Sequence, residues 1–181
     1  MAAKKLFSSI VVVLVAILSL SSCEEVTYSS SLFCNFVSET DRNGYFEDGY
    51  VYTFNDLSNL KRSDDIVGMD YLGTTITFEG ISSGDLRQGD VIKDVYIGVD
   101  GMVPFLFARN IAVLRDNERI SYTSREDREF YDFMRNVMRR FYNHGKIDMM
   151  VYGWVTHNNV GVRNVRMRVT LDNLLDVTIV K

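Results

Sequence analysis

Hydrophobic and polar positions alternate singly along most of this chain, the period of strands, while one stretch recurs at the period of a helix. Segments 32–37, 50–54, 74–78 and 91–99 are rich in β-branched and aromatic residues and bounded by Gly, Asn, Asp or Ser, so each predicts a strand. Within 91–99, Val91, Val95, Ile97 and Val99 share one face and Asp94 and Tyr96 the other. Asp100-Gly101 predicts a tight turn and 102–107 a returning strand. Pro104 argues for an edge position, because it has no amide to give a neighbour. Segments 111–114 and 120–122 flank Asp116-Asn117 as a further hairpin, and 55–70 is polar enough to be a long loop.

A helix is predicted over 124–144. Phe130, Phe133, Met134, Val137, Met138 and Phe141 fall on one stripe, Ser124 is a good N-cap, and Gly145 is a good left-handed stop. Acidic Glu126, Asp127 and Glu129 at its start and basic Arg135, Arg139 and Arg140 toward its end suit the helix dipole. Strands follow at 147–156, 162–171 and 175–180, with turns at His157-Asn158-Asn159 and Asp172-Asn173. Met149 and Val151 oppose Met150, Tyr152 and Trp154 across the first of these, so both of its faces need cover and the helix is the expected lid for one. These elements fit a mainly β protein, an antiparallel β-sandwich with one amphipathic α-helix packed on it, an immunoglobulin-like strand order being one way to connect it. An α+β sheet with the helix on one face is the alternative.

The first residues are different in kind. Lys4 and Lys5 precede an apolar run over 6–20, about 15 residues where roughly 20 are needed to cross the hydrocarbon core, and the flank that follows is acidic. This predicts a secretory signal rather than a permanent transmembrane helix. Leu20, Ser21, Ser22 and Cys23 resemble the lipobox of bacterial lipoproteins: a branched apolar residue, two small residues, then the cysteine. The resemblance covers only about the first 23 residues. It implies cleavage before Cys23 and acylation of its thiol, and acyl chains at about 0.8 kcal/mol per buried methylene hold a protein stably on a membrane once there are two or more. An ordinary cleaved signal with a cysteine nearby is the alternative. Glu24 and Glu25 resemble a short form of the export signal of Bacteroidota lipoproteins, so an outer-membrane protein displayed on the cell surface and one facing the periplasm both stay open. The organisation expected is a signal peptide over 1–22, a lipidated tether over 23–31 and a single β-rich domain over 32–181.

Composition narrows the chemistry. With 46% hydrophobic and 24% charged residues, the 181-residue chain has the balance of a folded domain. Its net charge of −4 becomes more negative once Lys4 and Lys5 leave with the leader, so nucleic acid is not an expected partner. Two cysteines and two histidines exclude a disulfide-dense scaffold, an all-cysteine zinc site and a three-histidine zinc. Cys34, in phase with Leu32 and Phe36, is expected to be a buried, inert thiol.

The chain lacks a phosphate-binding glycine loop and a His-Glu-x-x-His helix. Glu39, Asp41, Asn43, Gly44 and Glu47 match places of a calcium loop, but Tyr50 stands where its bidentate glutamate belongs and the flanks are strands. A turn at Asn43-Gly44 explains the same residues. His144 fits a helix end and His157 a turn. Tyr152 and Trp154 are the candidate ligand-binding residues, as a platform for sugars; since large aromatics are mostly buried, core beneath the helix is the expected alternative. Arg135, Arg139, Arg140, Arg163, Arg166 and Arg168 are expected on solvated faces, paired with the protein's own acids. The function expected is a membrane-anchored envelope lipoprotein acting as a non-enzymatic binding or structural module, with no cofactor or metal. Its partners would be the membrane, through acyl chains on Cys23, and an envelope protein or a glycan. The alternatives are a glycoside hydrolase built on paired carboxylates, and an assembly component that exchanges a strand.

Overall fold

A computed structural model describes the protein over residues 24–61, 65–157 and 163–181; the leader, Cys23, and Asn158 and Asn159 of the expected turn lie outside the described residues. Among the described residues the elements are β1 (Glu25–Glu39), β2 (Tyr45–Thr53), a 3-10 turn (Phe54–Asp56), β3 (Asp65–Gly80), β4 (Val91–Val99), β5 (Phe105–Ala112), β6 (Ile120–Thr123), α1 (Arg128–His144), β7 (Lys146–Thr156) and β8 (Arg166–Val180). They form two antiparallel sheets: sheet A in the order β1-β8-β3-β6 and sheet B in the order β2-β7-β4-β5. This is the β-sandwich with one helix that the hydrophobic pattern predicts.

The wiring is not a run of hairpins. Among the described strands, β4 and β5 alone are consecutive and adjacent in one sheet; every other connection crosses between sheets. The hairpin expected about Asp116-Asn117 is therefore corrected, since β5 belongs to sheet B and β6 to sheet A. The order also departs from the immunoglobulin sandwich, whose first two strands are neighbours.

The strands of sheet A are longer than their apolar centres. Residues 25–31, expected as part of a tether, belong to β1, because each pairs with β8, from Glu25↔Val180 to Ser31↔Leu174. β8 itself runs unbroken through Asp172-Asn173, expected as a turn. Asn173 is fully buried there: its amide donates to the Leu32 carbonyl (3.0 Å) and its Oδ1 accepts from the Thr74 hydroxyl (2.6 Å). A residue type common in turns acts here as a tie between three strands, its polar atoms satisfied on both sides. β3 likewise begins at Asp65, inside the stretch expected as loop.

The core forms where the alternating apolar positions of the two sheets face each other. Leu32, Phe36, Ile76, Phe78 and Leu171 of sheet A and Phe46, Ile97, Met149 and Val151 of sheet B are all buried. In β4 the phase differs from strict alternation: the register shifts between Lys93 and Tyr96, with Asp94 at φ 44°. This bulge turns Ile92 inward with Val95, Ile97 and Val99, and leaves Val91 only half-buried.

α1 fills the open side between the sheets. Its Phe130 meets Phe105 and Phe107 of β5 at 5.9 and 4.9 Å between ring centroids, and Phe141 meets Phe54 at 5.1 Å. The hydroxyls of Tyr131 and Tyr142 donate to the carbonyls of Tyr71 (3.3 Å) and Val67 (2.7 Å), closing the edge of β3 that the short β6 does not reach. The helix starts later than Ser124 predicts: Asp127 is the N-cap, accepting from the Phe130 amide at 2.9 Å, while Ser124 is buried and accepts from the Thr74 amide. Gly145 ends the helix at φ 68°, as expected.

Candidate functional site

Tyr152 and Trp154 are not core beneath the helix. Along β7, Ile147, Met149, Val151 and Val155 are buried toward sheet A, so Met150, Tyr152 and Trp154 point the other way, half-buried on the solvent face of sheet B. Antiparallel register builds rows across that face. Tyr45 of β2 and Lys93 of β4 flank Trp154; Glu47 and Tyr96 flank Tyr152; Gly49 and Gly98 flank Met150; Val51 stands beside Asp148. The first two rows carry rings in contact: Tyr45 and Trp154 at 5.2 Å, tilted by 54°, and Tyr96 and Tyr152 at 5.1 Å, stacked within 13°. Such cross-strand pairs supply packing while one side stays in water.

The next two rows drop into an open groove. Gly49 and Gly98 have no side chains to fill it, and Met150 lies across Gly98, where an added Cβ would stand 2.6 Å from its Cγ. The groove is lined by Glu47, Tyr50, Asp100, Pro104, Asp148 and Met150, among others, and Tyr50 is 57% exposed. Asp100 and Asp148 come together because the Asp100 amide donates to the Asp148 carbonyl at 3.1 Å, and neither carboxylate forms an ion pair among the described residues. Asp48 is committed to structure, accepting from the Val37 amide on the edge of β1 at 2.6 Å. Glu47 accepts from the Tyr45 hydroxyl; partial burial and this bond push the Tyr45 phenol up to about 12. The face thus offers aromatic rings, phenolic hydroxyls and carboxylate acceptors side by side, a set that suits ligands bearing both C–H faces and hydroxyl donors.

The remaining candidates have structural employment. At the calcium-like loop, the Asp41 carboxylate accepts from the amides of Asn43 and Tyr45, both at 2.8 Å, as in an Asx turn. Gly44 has φ 81°, and a Cβ there would lie 2.2 Å from the Val155 carbonyl oxygen, so glycine is required by the turn itself. Among the described residues no group of three or more His, Cys, Asp or Glu side chains could hold a metal ion. Cys34 is fully buried, and burial, with the Asp56 carboxylate adding to it, pushes its thiol far up from the ordinary range. His157 lies 2.9 Å from Asp90 Oδ1 through Nδ1 and 3.2 Å from the Arg163 carbonyl through Nε2, while Arg163 donates to Asp90 Oδ2. This cluster clamps the segment entering β8 onto the start of β4. Of the six arginines, Arg135 pairs with Asp132 on the helix, Arg163 with Asp90 and Arg168 with Glu79, whereas Arg166 donates to the Ser82 hydroxyl at 2.8 Å instead of to an acid.

Sequence reasoning finds two of the four rings. Tyr96 is legible as the wet-face residue between Val95 and Ile97, but its pairing with Tyr152 depends on the β4 bulge. Tyr45 follows a turn, and nothing local signals that it returns beside Trp154. No protein-family model, curated protein or solved structure matches the chain.

Proposed function

We propose that the protein is a lipid-anchored, non-catalytic binding module of the bacterial cell envelope, held on the outer membrane by acyl chains on Cys23, and that it takes glycans on the solvent face of sheet B. The observation that carries the reading is the pair of ring contacts, Tyr45 with Trp154 and Tyr152 with Tyr96, on a face that neither the helix nor sheet A covers. Ring faces favour the C–H faces of pyranoses, Glu47 stands beside Tyr152, and Asp100 and Asp148 line the adjoining groove as acceptors for sugar hydroxyls. The lipobox residues Leu20, Ser21, Ser22 and Cys23 support the anchor.

The test is a glycan array followed by calorimetry on each hit. Tyr152→Ala should weaken binding at least tenfold, about 1.4 kcal/mol, and Glu47→Gln should weaken it less. Binding unchanged in Tyr152→Ala would overturn the site, and release of new reducing ends from a bound oligosaccharide would overturn the non-catalytic assignment.

A further inference from the structure

One consequence rests on the acylation of Cys23 proposed above. The ladder of sheet A does not fray where the chain enters it: Glu25 faces Val180, Val180 faces Asp65 on its other side, and the Lys181 amide donates to the Glu24 carbonyl at 3.1 Å. Residue 24, directly after the lipobox cysteine, is therefore already fixed to the end of the domain. A chain spans at most about 3.6 Å per residue, so acyl chains on Cys23 leave no length for a tether.

We propose that the domain stands directly on the membrane, its contact surface the end of sheet A where β1 begins, β8 ends and β3 begins, and its partner the headgroup layer of the bilayer. β1 then acts as a post of fixed length. Ser38, near its far end, binds both the carbonyl and the amide of Glu47 (3.0 and 3.2 Å), which ties the post to the aromatic rows of sheet B. At a strand rise of about 3.4 Å, the distance from Glu25 to Ser38 is about 45 Å, which places the rings well clear of the bilayer. The broad faces oppose lying flat. Asp70 and Asp176 face each other on the outside of sheet A, with Asp172 beside exposed Phe33 and Leu174 on the same face, and sheet B carries Glu47 and Asp148; laying either face on lipid would strip water from carboxylates. The standing end is polar, with Glu25, Asp65 and Lys181 exposed, and so rests on headgroups without inserting.

Neutron reflectometry on the full-length protein, purified from producing cells and reconstituted in a supported phosphatidylcholine bilayer, reads this directly. The expected profile is a protein layer about 50 Å thick in contact with the headgroups, and a Gly-Ser-rich insert between Glu24 and Glu25 should open a hydrated gap beneath it. A gap already present without the insert, or a layer about half as thick, would overturn the proposal. Mass spectrometry of the same sample separates the two readings: an unmodified Cys23 sinks the anchor itself, whereas an acylated protein over a hydrated gap sinks only the direct mounting.

Discussion

The solvent face of sheet A combines short polar pairs with exposed Phe33, Val37 and Leu174, whereas that of sheet B is built from rings and bare backbone. On sheet A, Arg168 bonds Glu79, Thr170 donates to Asn35, and the hydroxyls of Thr77 and Ser121 meet, as do those of Thr27 and Thr178. These pairs satisfy one another. On sheet B, two rows of half-buried aromatics border a groove kept open by Gly49 and Gly98, although a glycine inside a strand costs roughly 0.5–1 kcal/mol relative to alanine. Stability alone favours the first kind of surface. Under the proposed function, sheet A is the scaffold and sheet B the recognition face.

That division breaks most visibly if stability and binding fail to separate. Asn173→Ala removes the buried tie of sheet A and strands the Thr74 hydroxyl and the Leu32 carbonyl, at a cost of about 2–4 kcal/mol. Calorimetric melting should show a Tm lower by roughly 5–10 °C, with glycan affinity at 25 °C unchanged. Trp154→Ala should do the reverse, weakening binding about tenfold or more, near 1.4 kcal/mol, with a smaller fall in Tm because the ring is only half-buried. A variant of either residue that moves both quantities together would erase the contrast.

Smaller effects sharpen it. Asp172, on the outer face of sheet A, has an Oδ1 that is buried and unpartnered, and desolvation raises its carboxyl above the ordinary 3.8. The folded state thus favours the protonated form, a contribution present below the unfolded pKa and lost as pH rises through the folded one. Asp172→Asn should therefore raise Tm slightly at neutral pH, with the gain disappearing as pH falls below about 4; a gain that persists in acid would assign the effect elsewhere. At the other extreme, burial raises the phenols of Tyr52, Tyr71 and Tyr122 as well as that of Tyr45. Unfolded phenols ionise near 10 while the folded ones hold their protons longer, so their contribution to stability should be level below pH 10 and decline above it. Tyr45→Phe should soften the decline measurably in melts across pH 10–12.

The strands, the helix and its glycine stop are legible in the sequence because each follows from local period or capping. What local rules misplace is decided by tertiary context. Asn173 and Asp172 have turn chemistry, yet neighbours on both sides supply the partners that keep β8 extended. Residues 25–31 have the composition of a linker, yet β8 provides a ladder for them. Ser124 suits a helix cap, yet the Thr74 amide claims it. The candidate site is half legible for the same reason: Tyr152 and Trp154 share a face by period two alone, while Tyr45 and Tyr96 join them only through register between strands distant in sequence.

Trp154 is the single tryptophan of the chain, so its fluorescence reports on the outer face of sheet B without background from another indole. The account predicts emission that acrylamide quenches readily in the free protein and that becomes shielded when a glycan found on the array is added. Blue-shifted emission resistant to the quencher from the outset would place the ring in a dry core and contradict the assignment of this face to binding.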